Sequence, residues 1–509
     1  MTNAAPRPRG SPNARARGVL GALILLLSSL PSPVSGASAP DAASAPTMAG
    51  RDAHAALLSR RITDLTLGEA VYLGLRNNPA IRSAYLQRIA QKFDLRVAEN
   101  VFAPKLTISG NYQASRGSED HARQALAAPA TSLLSEYGTR LSLAWTRQLS
   151  DADRAGRFRS DGLDIGIIQP LLRGAGWDAT TAPVRLARLT EQANRLNLKA
   201  NVSQTITQII SRYRELLRAQ EQLRIAREAL QRSRTLLDAN RAMIDAGRMA
   251  AFEIVQTEAD IASQELGVEE AANQADSARL DLLRLLALDL DTPVRATEAL
   301  QAEPLVIDRG QAFRLAQNQQ PDYLARLLGS QQADLNLVIA KDQSRWDVSL
   351  VTGASQVRDR YDEDDHGGGG RRWESYAGVR VEIPLGDLST RQAEVHARVE
   401  VDDQAIRLAD ARQELERRVN EVIRDLGTRW RQYEIAQRAS ELSRRKLEIE
   451  REKLNAGRSS NFQVLSFEAD LRNAESARLN ALIAYLNAQT QLDQTLGMTL
   501  ESWDIALND

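Results

Sequence analysis

Two stretches of this chain leave the backbone almost no choice of conformation. Val184–Ala246 contains neither proline nor glycine, and Thr390–Asn455 contains only Gly427. At about 1.5 Å per residue they make helices of roughly 95–100 Å. Globular helices seldom exceed about twenty residues, so helices this long must be bundled or coiled against partners. Ala246-Gly247-Arg248 and Ala456-Gly457-Arg458 close the two stretches, and helical patterns resume over Phe252–Leu288 and Phe462–Leu496. Each glycine lets the chain turn back on itself, giving helical hairpins over 183–288 and 390–496.

The hairpins are copies of one another. Ala246, Gly247, Arg248, Phe252, Glu258, Ala259 and Asp260 recur 210 residues later as Ala456, Gly457, Arg458, Phe462, Glu468, Ala469 and Asp470. Gly68, Ala70, Leu73 and Pro79 correspond to Gly310, Ala312, Leu315 and Pro321 at an offset of 242, and Pro170-Leu171 to Pro384-Leu385 at 214. The chain therefore divides into repeat one, 65–300, and repeat two, 301–509. Most of the extra length of repeat one lies between its first strand and the Pro-Leu pair. Insertions gather in surface loops, so this marks a loop-rich end.

Each repeat opens on a helical pattern, Leu67–Val101 and Arg309–Lys341, broken early by Asn78-Pro79 and Gln320-Pro321. The period then changes to two. Strands are expected at about 106–113, 162–172, 346–356 and 375–385; in the last, Ala377, Val379, Val381 and Ile383 alternate with Gly378, Arg380 and Glu382. Ten-residue segments with one apolar and one polar face mark transmembrane barrel strands, although half-buried soluble sheets alternate in the same way. Ser115–Leu134 and Arg358–Arg372 read as polar loops. Thr139–Leu149, with Leu141, Leu143, Trp145 and Leu149 on one side, is a further strand candidate. It either forms an extra hairpin or extends a spanning strand. Pro170 and Pro384 mark the turns from strand to long helix.

Arg7, Arg9, Arg15 and Arg17 precede an apolar run from Val19 to Leu30 and small residues at Ala37-Ser38-Ala39. That order makes 1–39 a secretory signal peptide, cleaved between Gly36 and Ala45, and leaves 40–64 as a flexible mature N-terminus. Twelve apolar residues are too few for a membrane-spanning helix, and no later run approaches twenty. A membrane role thus falls to strands. Cysteine is absent, which removes disulfides, thiolate nucleophiles and a lipidated cysteine after the signal. A net charge of −1 argues against a nucleic-acid binder.

Catalytic chemistry is not indicated. His54, His121, His366 and His396 are scattered without ligand spacing. The Asp362–Asp365 run, followed by His366 and four glycines, reads as a solvated loop. Gly174-Ala175-Gly176-Trp177-Asp178-Ala179 imitates a dinucleotide fingerprint, but the helix after it is far too long for a βαβ unit. No enzyme, cofactor or metal site is expected.

The order helix, strand, loop, strand, long helix and glycine-turned return helix, given twice, resembles the TolC family of outer-membrane efflux proteins. The most specific marks are Leu67-Gly68-Glu69-Ala70, Asn77-Asn78-Pro79, Gln169-Pro170-Leu171-Leu172-Arg173-Gly174, Val381-Glu382-Ile383-Pro384-Leu385 and the two Ala-Gly-Arg turns. The resemblance implies an α+β membrane protein: a homotrimer sharing one transmembrane β-barrel, about four strands per protomer, with a long periplasmic α-helical coiled-coil tunnel. It implies an outer-membrane exit duct for a tripartite efflux pump or type I secretion system, fed by an inner-membrane transporter through a periplasmic adaptor. On the same ground Gly247, Arg248, Gly457 and Arg458 lie at adaptor-contact tips. Family members carry aspartates six and nine residues after the second turn glycine. Those places here hold Gln463 and Ser466, with Glu253 and Gln256 in repeat one, so Asp470 and its copy Asp260 complete the candidate periplasmic gate. Two other readings are a periplasmic adaptor and a structural coiled-coil protein of the envelope. An adaptor would show one hairpin in one compact β-domain, and strands ending in Pro-Leu in both repeats argue against the second.

Overall fold

A computed structural model describes residues 63–117, 121–153, 156–362 and 368–507. The expected signal peptide, all but two residues of the segment 40–64, and most of the acidic run with His366 lie outside them. A short strand β1 (Thr63–Leu65) leads into repeat one, which holds α1 (Leu67–Asn77), α2 (Pro79–Glu99), β2 (Lys105–Arg116), β3 (His121–Leu134), β4 (Arg140–Ala152), β5 (Gly156–Pro170), α3 (Trp177–Asp245), α4 (Glu253–Leu286) and β6 (Val294–Ala296). Repeat two holds α5 (Arg309–Gln319), α6 (Pro321–Gln343), β7 (Asp347–Asp362), β8 (Gly368–Glu382), α7 (Ser389–Asn455), α8 (Asn461–Leu496) and α9 (Thr499–Ser502).

Local chemistry sets the element ends. Thr66 and Glu69 form a reciprocal capping box at the start of α1. Asn78 caps α2 through the N–H of Ala80 at 2.9 Å, and Gln320 caps α6 through the N–H of Tyr323 at 2.6 Å. Pro79 and Pro321 occupy first helical positions, where no N–H is needed. The two proline breaks therefore restart a helix in a new direction. Pro183 sits inside α3, which begins at Trp177, earlier than the expected hairpin start. Among the described residues, no helix is long and apolar enough to cross a membrane.

Six strands form one antiparallel sheet in the order β2-β3-β4-β5-β7-β8. About four per protomer were expected, and the difference is the β3–β4 hairpin. The segment read as a loop to Leu134 contains β3, which its composition conceals: His121–Leu134 is rich in alanine and carries Pro129. Proline lacks a ladder donor, and the pairing of β3 with β4 steps from Ala127 to Ala130, passing over Ala128 and Pro129. The register puts Leu143, Ile165 and Ala354 in one row and Trp145, Leu163, Gln356 and Trp373 in the next. The opposite face carries Ser142, Thr146, Gly162, Gly166 and the linked group Ser160, Asp359 and Arg372.

The helices pack as two hairpins, α3–α4 and α7–α8, and α3 also lies along α8. Two buried tyrosines fix the chain where the repeats meet. The Tyr213 hydroxyl donates to the Leu65 carbonyl at 2.8 Å and accepts from the N–H groups of Thr297 and Glu298, pinning the parallel pair β1–β6. The Tyr485 hydroxyl donates to the Glu303 carbonyl at 2.7 Å and accepts from Leu305 N–H. Around Tyr213 gather Ile206, Ile209, Leu282, Leu283 and Leu286, each contributing about 1.5–3 kcal/mol by burial.

The two return helices end differently. Gly497 closes α8 at φ 77°, where a β-carbon would lie 2.5 Å from the Gln319 carbonyl oxygen. At the matching place after α4 stands Ala287, also left-handed at φ 52°. Ala287→Gly should raise stability by about 0.5–1 kcal/mol by relieving that backbone, while Gly497→Ala should lower it by more. Thermal unfolding followed by circular dichroism would show opposite shifts for the pair.

Candidate functional site

The turns of the two hairpins are built alike. Gly247 and Gly457 adopt φ 69° and 70°. After α3, Gly247 N–H bonds the Ile244 carbonyl and Arg248 N–H the Met243 carbonyl, both at 2.8 Å. After α7, Gly457 bonds Leu454 and Arg458 bonds Lys453 in the same way. This is the double-bonded helix stop that a left-handed residue after the C-cap makes. The arginine of each Ala-Gly-Arg thus has a structural task for its main chain, leaving its side chain available.

Those side chains are used differently. Arg248 donates to the Asn455 carbonyl at 2.9 Å, capping the end of α7 and joining one turn to the other. Arg458 is exposed, and its side chain makes no hydrogen bond or ion pair among the described residues. Beside them stand Phe252 and Phe462, 72% and 66% exposed. The sequence shows these phenylalanines as an identity between repeats, and repetition of a large apolar residue that buries nothing was the available signal of function.

Above the turns, a buried knot ties three helices together. Asn240 on α3, Thr257 on α4 and Asn461 on α8 are all fully buried. Asn240 Nδ2 donates to Thr257 Oγ1 at 2.9 Å and to Asn461 Oδ1 at 2.8 Å, and Asn461 Nδ2 reaches the Glu253 carbonyl at 3.2 Å. Next come Glu468 and Glu475 on α8, both buried. Glu468 accepts from Arg232 of α3 at 2.9 Å and pairs with Arg451 of α7. Glu475 pairs with Arg444 of α7 at 2.9 Å, with Arg232 at 3.8 Å. Higher still, Arg214 donates to the Leu486 carbonyl and to Thr490 Oγ1. Burial lowers its guanidinium to about 10, so it remains charged at neutral pH.

The candidate gate residues are not gathered into one ring-forming set within the chain. Asp260 accepts from Ser233 Oγ at 2.6 Å and from Gln264, inside its own hairpin. Asp470 is half-exposed and pairs with Lys446 of α7 at 3.0 Å, while Lys446 also lies over the Phe467 ring. Glu253 and Gln463 are half-buried in the first turns of α4 and α8, and Ser466 is exposed. Helical periodicity relates Asp260 to Asp470, yet their neighbours differ. At the far ends of the long helices, Pro170 is the last residue of β5, and Pro384 lies between β8 and α7. Gly174 N–H after Pro170 bonds both carboxylate oxygens of Asp342, at 3.1 and 2.9 Å, and burial raises that carboxyl.

Residues 70–288 match the family described as outer membrane efflux protein. The match lies within repeat one and spans less than half of the chain. The fold shared with solved outer membrane channels extends over both repeats. The Campylobacter jejuni CmeC outer membrane channel is 16% identical with a TM-score of 0.64, over 85% of this chain and 86% of that one. The Vibrio cholerae outer membrane protein VceC is 15% identical at 0.62, over 85% and 96%. The Neisseria gonorrhoeae MtrE outer membrane channel in its open state is 16% identical at 0.64, over 85% and 89%. No curated protein matches the chain.

The knot makes a prediction. Asn461→Ala leaves Asn240 and Thr257 buried without their partner, at a cost of about 1–3 kcal/mol per orphaned group. Amide hydrogen exchange should quicken around residues 240, 257 and 461 and stay unchanged in the six-stranded sheet.

Proposed function

We propose that the chain is the passive exit duct of an efflux pump or type I secretion system: an outer-membrane barrel continued into the periplasm by the helical hairpins, assembled as a homotrimer. The observation that carries the reading is a six-stranded sheet whose apolar face is exposed, joined directly to two long helical hairpins whose turns adjoin. A contiguous exposed apolar face needs a partner, and lipid is the partner that the likeness to outer membrane channels supports. The edges of β2 and β8 would carry unpaired main-chain groups into lipid, which is prohibitive, so other copies must close the wall. No catalytic step is required of such a conduit.

The turns are where an adaptor would dock: Gly247 and Gly457 shape the tips, Arg458 and the two phenylalanines offer charge and apolar surface, and Arg248 stiffens the pair. Glu253, Gln463, Ser466 and Asp470 would line the closing end, with Asp260 turned into its hairpin. Since Lys446 offsets Asp470, cation selectivity there is weak. Energy comes from an inner-membrane transporter.

Two measurements test this. Fractionation should place the protein in the outer membrane as a detergent-stable trimer; recovery in the soluble periplasm would overturn the reading. Arg458→Glu should reduce transport at least tenfold while leaving trimers and thermal stability unchanged. Arg248→Glu should reduce both transport and stability, because it also removes the bond to Asn455. Full transport by both variants would remove the arginines from the docking surface.

A further inference from the structure

The β3–β4 hairpin sets this chain apart from the four-stranded protomer that its sequence suggests. We infer that the hairpin is part of the membrane wall, so that three copies close an eighteen-stranded barrel in which β2 of one copy pairs with β8 of the next. The inference rests on the outer-membrane reading above and adds the architecture of the wall.

Three observations carry it. First, β4 keeps the depth of its neighbours. Its apolar residues Leu141, Leu143 and Trp145 pair row by row with Ile167, Ile165 and Leu163 of β5. The next row turns charged in four adjacent strands at once: Arg147, Asp161, Arg358 and Arg371. A hairpin projecting beyond the membrane would have no reason to change polarity level with β5, β7 and β8. Second, β3 and β4 have 14 and 13 residues, and about 9–11 suffice to span the membrane as tilted strands. Their other face presents Ala130, Ser132, Ser142 and Ala144, small residues suited to a water-filled lumen. Third, the added strands come as a pair. β2 and β8 therefore still run in opposite directions, and copies join antiparallel without an odd strand. The free edges are alike in length, 12 and 15 residues.

Barrel diameter grows roughly in proportion to strand number. Eighteen strands make an outer mouth about 1.5 times as wide as twelve.

The chain has no cysteine, so single cysteines can report on the wall in the full-length protein in outer-membrane vesicles. Ala130→Cys and Ala144→Cys should react readily with a water-soluble maleimide, while Thr131→Cys and Leu143→Cys react at least tenfold more slowly until detergent unfolds them. Asp164→Cys and Ile165→Cys on β5 serve as the reference pair. Equal rates at all four hairpin positions with a normal reference pair would place the hairpin in water and overturn the inference alone. Equal rates in the reference pair too would overturn the membrane reading itself. Mass photometry of the detergent-solubilised protein should count three copies; any other number overturns the eighteen strands.

Discussion

A helix of nearly seventy residues has no stable existence unless one stripe of it is covered along its whole length, because intrinsic helical preference is marginal in water. In this chain the covering is the seam of α3 against α8. Apolar contacts at Ile225, Leu479 and Ile483, and at Leu236, Val464 and Leu471, alternate along it with polar rungs. The rungs are Arg214 to Leu486 and Thr490, Gln222 to Ser476, Arg232 to Glu468, and Asn240 to Asn461. As the residue number rises on α3 it falls on α8, as two antiparallel helices require. Leucine seams tolerate sliding by a heptad; spaced hydrogen-bonded and charged partners do not, and the register of one repeat on the other follows from them.

Much of this architecture is legible in the sequence because it depends on backbone freedom. Two proline-free stretches, each ended by a single glycine, dictate long hairpins, and Asn-Pro and Gln-Pro dictate the breaks before them. The seam is not legible. Periodicity tells which residues share a face of one helix, but not which other helix that face meets. Glu258-Ala259-Asp260 and Glu468-Ala469-Asp470 make the point. In the first copy Glu258 is exposed near Arg241 and Asp260 turns toward Ser233; in the second Glu468 is buried between two arginines and Asp470 faces outward to Lys446. Identical residues exchange roles because the two hairpins have different neighbours.

The sheet was legible where alternation is strong, as in β4 and β8, and hidden in β3. There alanines carry no face preference and Pro129 argues against a central strand. Its place is set by β2 and β4 on either side, a tertiary effect that overrides local preference. At the turns, sequence pointed to both arginines alike; only the packing of one turn on the other separates Arg248, whose side chain is engaged, from Arg458, whose side chain has no partner among the described residues.

The knot of Asn240, Thr257 and Asn461 belongs to one repeat junction only. Shifted by the repeat offset, Asn240 and Thr257 become Glu450 and Phe467, so the internal two-fold likeness of the chain ends there. The knot contains no ionisable group. Neither acidity, nor ionic strength, nor an electric field acts strongly on neutral amides and a hydroxyl shielded from water. Competing water or applied force, not a change of charge, would loosen such a link, and the glycine turns just beyond it are where a force would have the longest arm.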